Sequence, residues 1–182
     1  MHAHLAAVFS SLDGSLAALD ASVESVPPML RSRHPAPGRW SVAEVLEHVA
    51  LVNQLFRTRL AASIAAARDA GLAAETGDRA PVPPSVAAAM ANRTSPRPAP
   101  DLVKPTGGID ATDALAALHQ AQAAFRAMLI EADGLALSTV TYDHPFFGRL
   151  NIYQWAELMA GHERRHAEQI REIPQLLRAA GV

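Results

Sequence analysis

The sequence predicts an all-α protein, a bundle of four amphipathic helices with one long proline-rich connection between helices two and three. Three observations carry that expectation. Aromatic residues make up only 5% of a chain rich in alanine, a composition that favours helix over strand. Apolar residues recur at three- and four-residue steps in four separate stretches. Two of those stretches open with a serine or asparagine followed three residues later by a glutamate or glutamine, the start signal of a helix. At 182 residues, the whole chain is expected to form a single domain, 1–182, with a sizeable core.

The first helix is marked by Leu5, Val8, Leu12, Leu16, Leu19, Val23 and Val26, and Pro27-Pro28 closes it. A proline- and glycine-bearing loop, Arg33 to Arg39, follows. Ser41 and Glu44 then form a capping box, with Trp40 and Val45 as its hydrophobic staple. The inward stripe of this second helix reads Val45, His48, Val52, Leu55 and Arg59, flanked by Val49 and Phe56. The pattern runs to about Ala70, and Gly71 is its stop.

From Gly71 to Gly108 the composition changes, with seven of the thirteen prolines and only Ser85 to Asn92 suited to a short helix. A connection this long is expected to cross the structure or cover a site. It also lets helices two and three run the same way. The third helix, about Ala111 to Ala132, carries Leu115, Leu118, Gln122, Phe125 and Leu129 inward and is capped by Asp110 or Thr112. The stretch Gly134 to Leu150 contains DHPFFGR, which predicts a turn folded against the bundle mouth. Asn151 and Gln154 open the fourth helix, and Pro174 is expected to kink or end it.

Charge and composition exclude several classes. A net charge of −2 and a pI near 6.4 give no electrostatic case for nucleic acid or an anionic membrane. The absence of cysteine excludes disulfides, thiolate ligands and a cysteine nucleophile. MHAHLAAVFSSLDG does not read as a signal peptide, and no stretch approaches the roughly 20 apolar residues of a membrane span. A cytoplasmic protein is expected.

The fourth helix carries the chemistry. Steps of four and three from Trp155 reach Met159, His162, His166, Gln169 and Ile173, so two imidazoles one turn apart share the predicted inward stripe. His48 adds a third from helix two. A lone histidine on an apolar stripe is more often a hydrogen-bonded core residue than a ligand. An i, i+4 pair facing a third imidazole, with few polar partners nearby, points instead to a shared metal ion. Three nitrogen ligands leave a coordination place open and suit Zn, Ni, Fe or Cu(II).

His162-Glu163-Arg164-Arg165-His166 also spells HExxH, the zinc-protease pattern. The extended form of that pattern needs glycine and histidine where Gln169 and Glu172 stand. A ferritin-like di-iron site needs two E-x-x-H elements, and only Glu163 to His166 fits. Glu163 lies about 100° round the helix from His162, at the stripe's edge, where pairing with the neighbouring arginines is the plainer expectation. It and Glu44 are the candidate catalytic carboxylates. Glu44 is equally a partner for His48 one turn on, although capping accounts for it without a metal. His2 and His4 fall at a terminus expected to be loose, His34 in a loop and His119 on the surface. His144 is a candidate substrate contact, and Arg164 and Arg165 read as a solvated face.

At these residues the chain resembles the DinB/YfiT-like family of metalloenzymes. The carrying features are W-S-x-x-E-x-x-x-H (Trp40, Ser41, Glu44, His48) and the late block HPFFGRLNIYQWAELMAGHERRHAEQI, in that order. The resemblance implies a four-helix bundle in an up-down-down-up arrangement and carries His48, His162 and His166 over as ligands of a divalent metal, Zn or Ni first and Fe or Cu next. It implies a metal-dependent hydrolase, or a transferase or isomerase using a low-molecular-weight thiol such as bacillithiol, mycothiol or glutathione, acting on a small-molecule substrate. It also implies a homodimer. The competing reading is a non-catalytic module, either metal-stabilised for interaction or binding a small molecule.

Overall fold

The computed structural model describes residues 1–92, 98–179 and 181. Four long helices make the bundle: α1 (Ala3–Glu24), α2 (Val42–Asp69), α4 (Ala111–Glu131) and α5 (Ile152–Ala179). A short helix, α3 (Pro84–Ala91), and a 3-10 turn at Asp101–Val103 lie in the connection. The expected start of α2 is present in full: Ser41 N–H donates to Glu44 Oε2 at 2.8 Å, and Glu44 N–H to Ser41 Oγ at 3.2 Å. Asp110 caps α4 through the N–H groups of Thr112 and Asp113. Asn151 and Gln154 exchange the same reciprocal pair of bonds at the head of α5.

Residue pairings give the helix directions. Ser11 meets Glu157, Ser15 meets Glu163 and Ala18 meets Arg171, so α1 and α5 run parallel. Glu47 bonds Thr106 just ahead of α4, and Arg68 reaches Glu131 at its end, so α2 and α4 are parallel too. Asp20 with His119 and Asp13 with Arg126 run in opposite senses, which sets α1 against α4. This is the up-down-down-up arrangement. The close-packed pairs are α1 with α5 and α2 with α4.

The core divides along the bundle axis. Leu5, Leu12, Leu60, Phe125, Leu129 and Trp155 belong to one apolar cluster. Leu19, Leu46, Val49, Leu118, Ile170 and Ile173 belong to another. Between them lies a polar layer with one residue from each long helix: Ser15, Asn53, Gln122 and Glu163, all buried.

That layer corrects the predicted face of the last helix. Glu163 is 0% exposed and bonds inside the bundle instead of pairing with arginines at the surface. The centre of the α5 interface runs through Ala156, Ala160, Glu163, Ala167 and Ile170, while His162 and Gln169 are only partly covered. Alanines line that centre, α5 packs chiefly on α1, and the histidine edge meets His48 of α2. Pro174 does not end the helix, which continues to Ala179 with Ile173 and Leu177 still buried.

The turn predicted at DHPFFGR is a β-hairpin, β1 (Thr141–His144) with β2 (Gly148–Asn151), pairing His144 with Gly148 across a three-residue loop. Gly148 takes φ +72°, which only glycine adopts freely at such a bulged turn. Trp155 Nε1 donates to the Tyr142 carbonyl at 2.9 Å and ties the hairpin to α5. The N-terminus, expected to be loose, is held by its amino group and His2 N–H against Asp133.

Candidate metal centre

The histidines of α2 and α5 come together where the two helices face each other. His48, His162 and His166 each present one ring nitrogen, and these three atoms lie within 4.8 Å of one another. Among the described residues they are the group able to share an ion. The capping box fixes where α2 begins and so places His48 in its second turn, almost fully buried at 6% exposure.

The rings are oriented for this. His48 Nδ1 stands 2.7 Å from the Val103 carbonyl oxygen, which can only accept, so Nδ1 carries the hydrogen and Nε2 keeps its lone pair. His166 Nδ1 faces Gln169 Oε1 at 2.9 Å, and the same reasoning leaves its Nε2 as a lone-pair donor. That Nε2 lies 3.1 Å from His162 Nε2. Two nitrogens on one zinc, at bonds of about 2.0–2.1 Å and a tetrahedral angle, sit roughly 3.3 Å apart. Without an ion, His162 Nε2–H would donate to His166, and His162 Nδ1, which is buried without a partner, would be an acceptor with no donor.

Electrostatics point the same way. Burial pushes the His48 imidazole below its usual pKa despite the bond to Val103. His162 is held well below, by burial first and then by the charges of His166, His48, Arg165 and His144. Both rings therefore stay neutral near pH 7, the form that binds metals. The donor set and spacing fit a divalent transition metal.

The two candidate carboxylates have other partners. Glu44 caps α2 and stands 3.4 Å from His34. Glu163 accepts from Ser15 Oγ at 2.5 Å, Asn53 Nδ2 at 2.8 Å and Gln122 Nε2 at 3.1 Å. Burial raises its pKa, and these three bonds work against that rise. Neither belongs to the group of three.

His144 is half-buried on the hairpin, stacked on Phe147 with centroids 4.5 Å apart and 5.0 Å from Trp155. His119 pairs with Asp20 at the surface. Arg165 is no free solvated group: it donates to the carbonyl oxygens of Met90 and Asn92 and ties α5 to the connection.

Sequence reasoning missed Val103, Ser15 and Asn53. Ser15 and Asn53 left a signal, each interrupting an apolar stripe at mid-helix. A backbone carbonyl leaves none.

No curated protein matches the chain in sequence. One solved structure similar in fold is TT2238, a four-helix bundle protein, at 23% identity and TM-score 0.59, covering 92% of this chain and 98% of that one. Another is YfiT from Bacillus subtilis, described as a probable metal-dependent hydrolase with an unusual four-helix bundle topology. It is 18% identical with TM-score 0.58, over 97% of this chain and 87% of that one. At such identities the likeness is one of fold. The family model for the DinB superfamily matches residues 11–170, and the chain belongs to that superfamily.

Proposed function

We propose that the chain is a metal-dependent enzyme acting on a small electrophilic molecule, with His48, His162 and His166 holding one divalent ion, Zn or Ni before Fe or Cu. The observation that carries this is the convergence of three imidazoles from two helices, two of them oriented by Val103 and Gln169. The description of YfiT as a probable metal-dependent hydrolase supports it. Such an ion, when bound, acts as a Lewis acid and lowers the pKa of a bound water or thiol.

The protein's part is to aim the three ring nitrogens together, to hold His48 and His162 neutral by burial, and to shape the surroundings. The connection supplies one wall through Val103, and the charges of Arg165 and His144 act at His162. The nucleophile is water, in a hydrolase, or a low-molecular-weight thiol, in a transferase. Glu44 and Glu163 are the carboxylates proposed as a base for water; the bonds each already makes weigh toward the thiol. A cytoplasmic homodimer completes the proposal.

The test is metal content by elemental mass spectrometry, for the wild type and His162→Ala side by side. About one transition-metal ion per chain in the wild type, lost in the variant, is the expected result. A wild type that carries no metal and takes up neither added Zn nor Ni overturns the reading. The histidines would then be polar core groups of a binding module. Loaded protein would next be assayed with esters and with thiol–electrophile pairs.

A further inference from the structure

We infer that Glu163 is a positioning residue for the three histidines, locking α5 against α2 at the level where the ring nitrogens meet. The inference rests on the metal-site reading and adds a residue that touches neither metal nor substrate.

His48 is on α2 and His162 and His166 are on α5, yet α2 packs chiefly on α4, and α5 chiefly on α1. The three-histidine group therefore spans the seam between two close-packed pairs. Any slip of one pair along the other moves His48 relative to the other two. A slip of one residue along a helix displaces a side chain by about 1.5 Å, far more than the roughly 0.2 Å tolerance of a metal–ligand bond.

Hydrophobic contact in the apolar clusters on either side of the polar layer is not directional. The polar layer adds directional bonds that a slip would break. Glu163, next in sequence to His162, accepts from Asn53 on α2 and from Gln122 on α4, both in the opposite pair. Its remaining bond, from Ser15, lies within its own pair. Glu163 is thus a buried node between α1/α5 and α2/α4, one residue from a ligand and at a site with no exposure. Other bonds across the pairs, Asp20–His119, Asp13–Arg126 and Gln122 to the Leu12 carbonyl, join α1 to α4 and do not touch the helices that carry the three ligands. Fixing register is the best-attested use of a buried charged or polar group, which seldom adds stability over an apolar residue of similar volume.

The two kinds of bond to Glu163 give the test its contrast. Asn53→Leu cuts a link between pairs, and Ser15→Ala cuts the link within a pair. Glu163→Leu removes the node, and Glu163→Gln keeps its shape and most of its hydrogen-bonding reach. Co(II) is the probe, read by competition titration for affinity and by its visible absorption spectrum for ligand geometry. Each variant is compared with wild type at matched helix content by circular dichroism.

Glu163→Leu and Asn53→Leu are expected to weaken Co(II) binding by about 10–100-fold and to alter the spectrum. Ser15→Ala is expected to change the melting temperature and leave affinity and spectrum as in the wild type. Glu163→Gln restores both. Should Glu163→Leu fail to fold, Asn53→Leu against Ser15→Ala decides. Wild-type affinity and spectrum in Asn53→Leu overturn the inference, and so does a loss of affinity in Ser15→Ala as large as in Asn53→Leu. A wild type that binds no Co(II) is a different result: it sinks the metal site itself, and this inference with it.

Discussion

His48 Nδ1 donates to the carbonyl oxygen of Val103, 2.7 Å away in space and 55 residues along the chain. The bond makes the proline-rich connection part of the candidate metal site, because it selects the tautomer that leaves His48 Nε2 available. Val103 is itself 4% exposed, so its side chain anchors the turn that offers the carbonyl. Val103→Gly should loosen that turn and weaken Zn or Co(II) binding by about tenfold, with the bundle's helix content unchanged. Titration against a chelating dye checks this. Unchanged affinity would mean that His48 needs no help from the connection.

Metal removal gives a second expectation. An ion that binds the native state alone stabilises it by about 2.7 kcal/mol when its concentration is about 100 times Kd, or roughly 5–10 °C in melting temperature for a protein of this length. Chelated wild type should lose that increment. His162→Ala should melt near the chelated wild type whether or not metal is added. A chelator-insensitive melting temperature in metal-loaded wild type would contradict a shared ion.

The depressed pKa values of His48 and His162 give a pH dependence whose sign can be worked out for chelated protein. An unfolded imidazole takes up a proton near pH 6.5, while these native rings take it up only at lower pH. The native state therefore binds fewer protons in that window. Stability should be full above pH 6.5 and fall as pH drops below it, by up to about 1.4 kcal/mol per pH unit for each ring. Glu163, with its pKa raised, acts in the opposite sense: its buried charge costs stability at higher pH, and the cost is relieved on acidification. Glu163→Gln removes that relief, so its acid limb should be steeper than the wild type's. Urea denaturation across pH 7.5 to 5 in the presence of chelator distinguishes the two slopes.

How far the site was legible follows from how local each signal is. His162 and His166 sit one turn apart on a single helix, so their common direction is a property of the helix alone. His48 could be placed because the Ser41–Glu44 box sets the start of α2 to the residue. Glu163 was misplaced because a 100° offset does not say which flank faces the centre. That depends on how α1 packs on α5, a tertiary fact. The hairpin is not legible in the sequence because four-residue strands around Pro145 and Gly148 leave too short an alternation to count. Val103 contributes a carbonyl that every residue possesses, and only the course of the connection brings it to His48.

Helix capping and metal binding should separate experimentally. Ser41 is 2% exposed, and its hydroxyl satisfies an otherwise orphaned N–H at the head of α2. Ser41→Ala should cost about 1 kcal/mol of stability. The loss falls on the first turn, whereas His48 lies beyond it, fixed by Val103 and packed against Trp40 at 4.9 Å between ring centroids. Metal affinity should therefore stay at the wild-type value while the urea midpoint drops. Val103→Gly should show the converse emphasis, a loss of affinity larger than its loss of stability explains. A fall in affinity on Ser41→Ala as large as on Val103→Gly would mean that the whole α2 start, and not the carbonyl contact, governs the placement of His48.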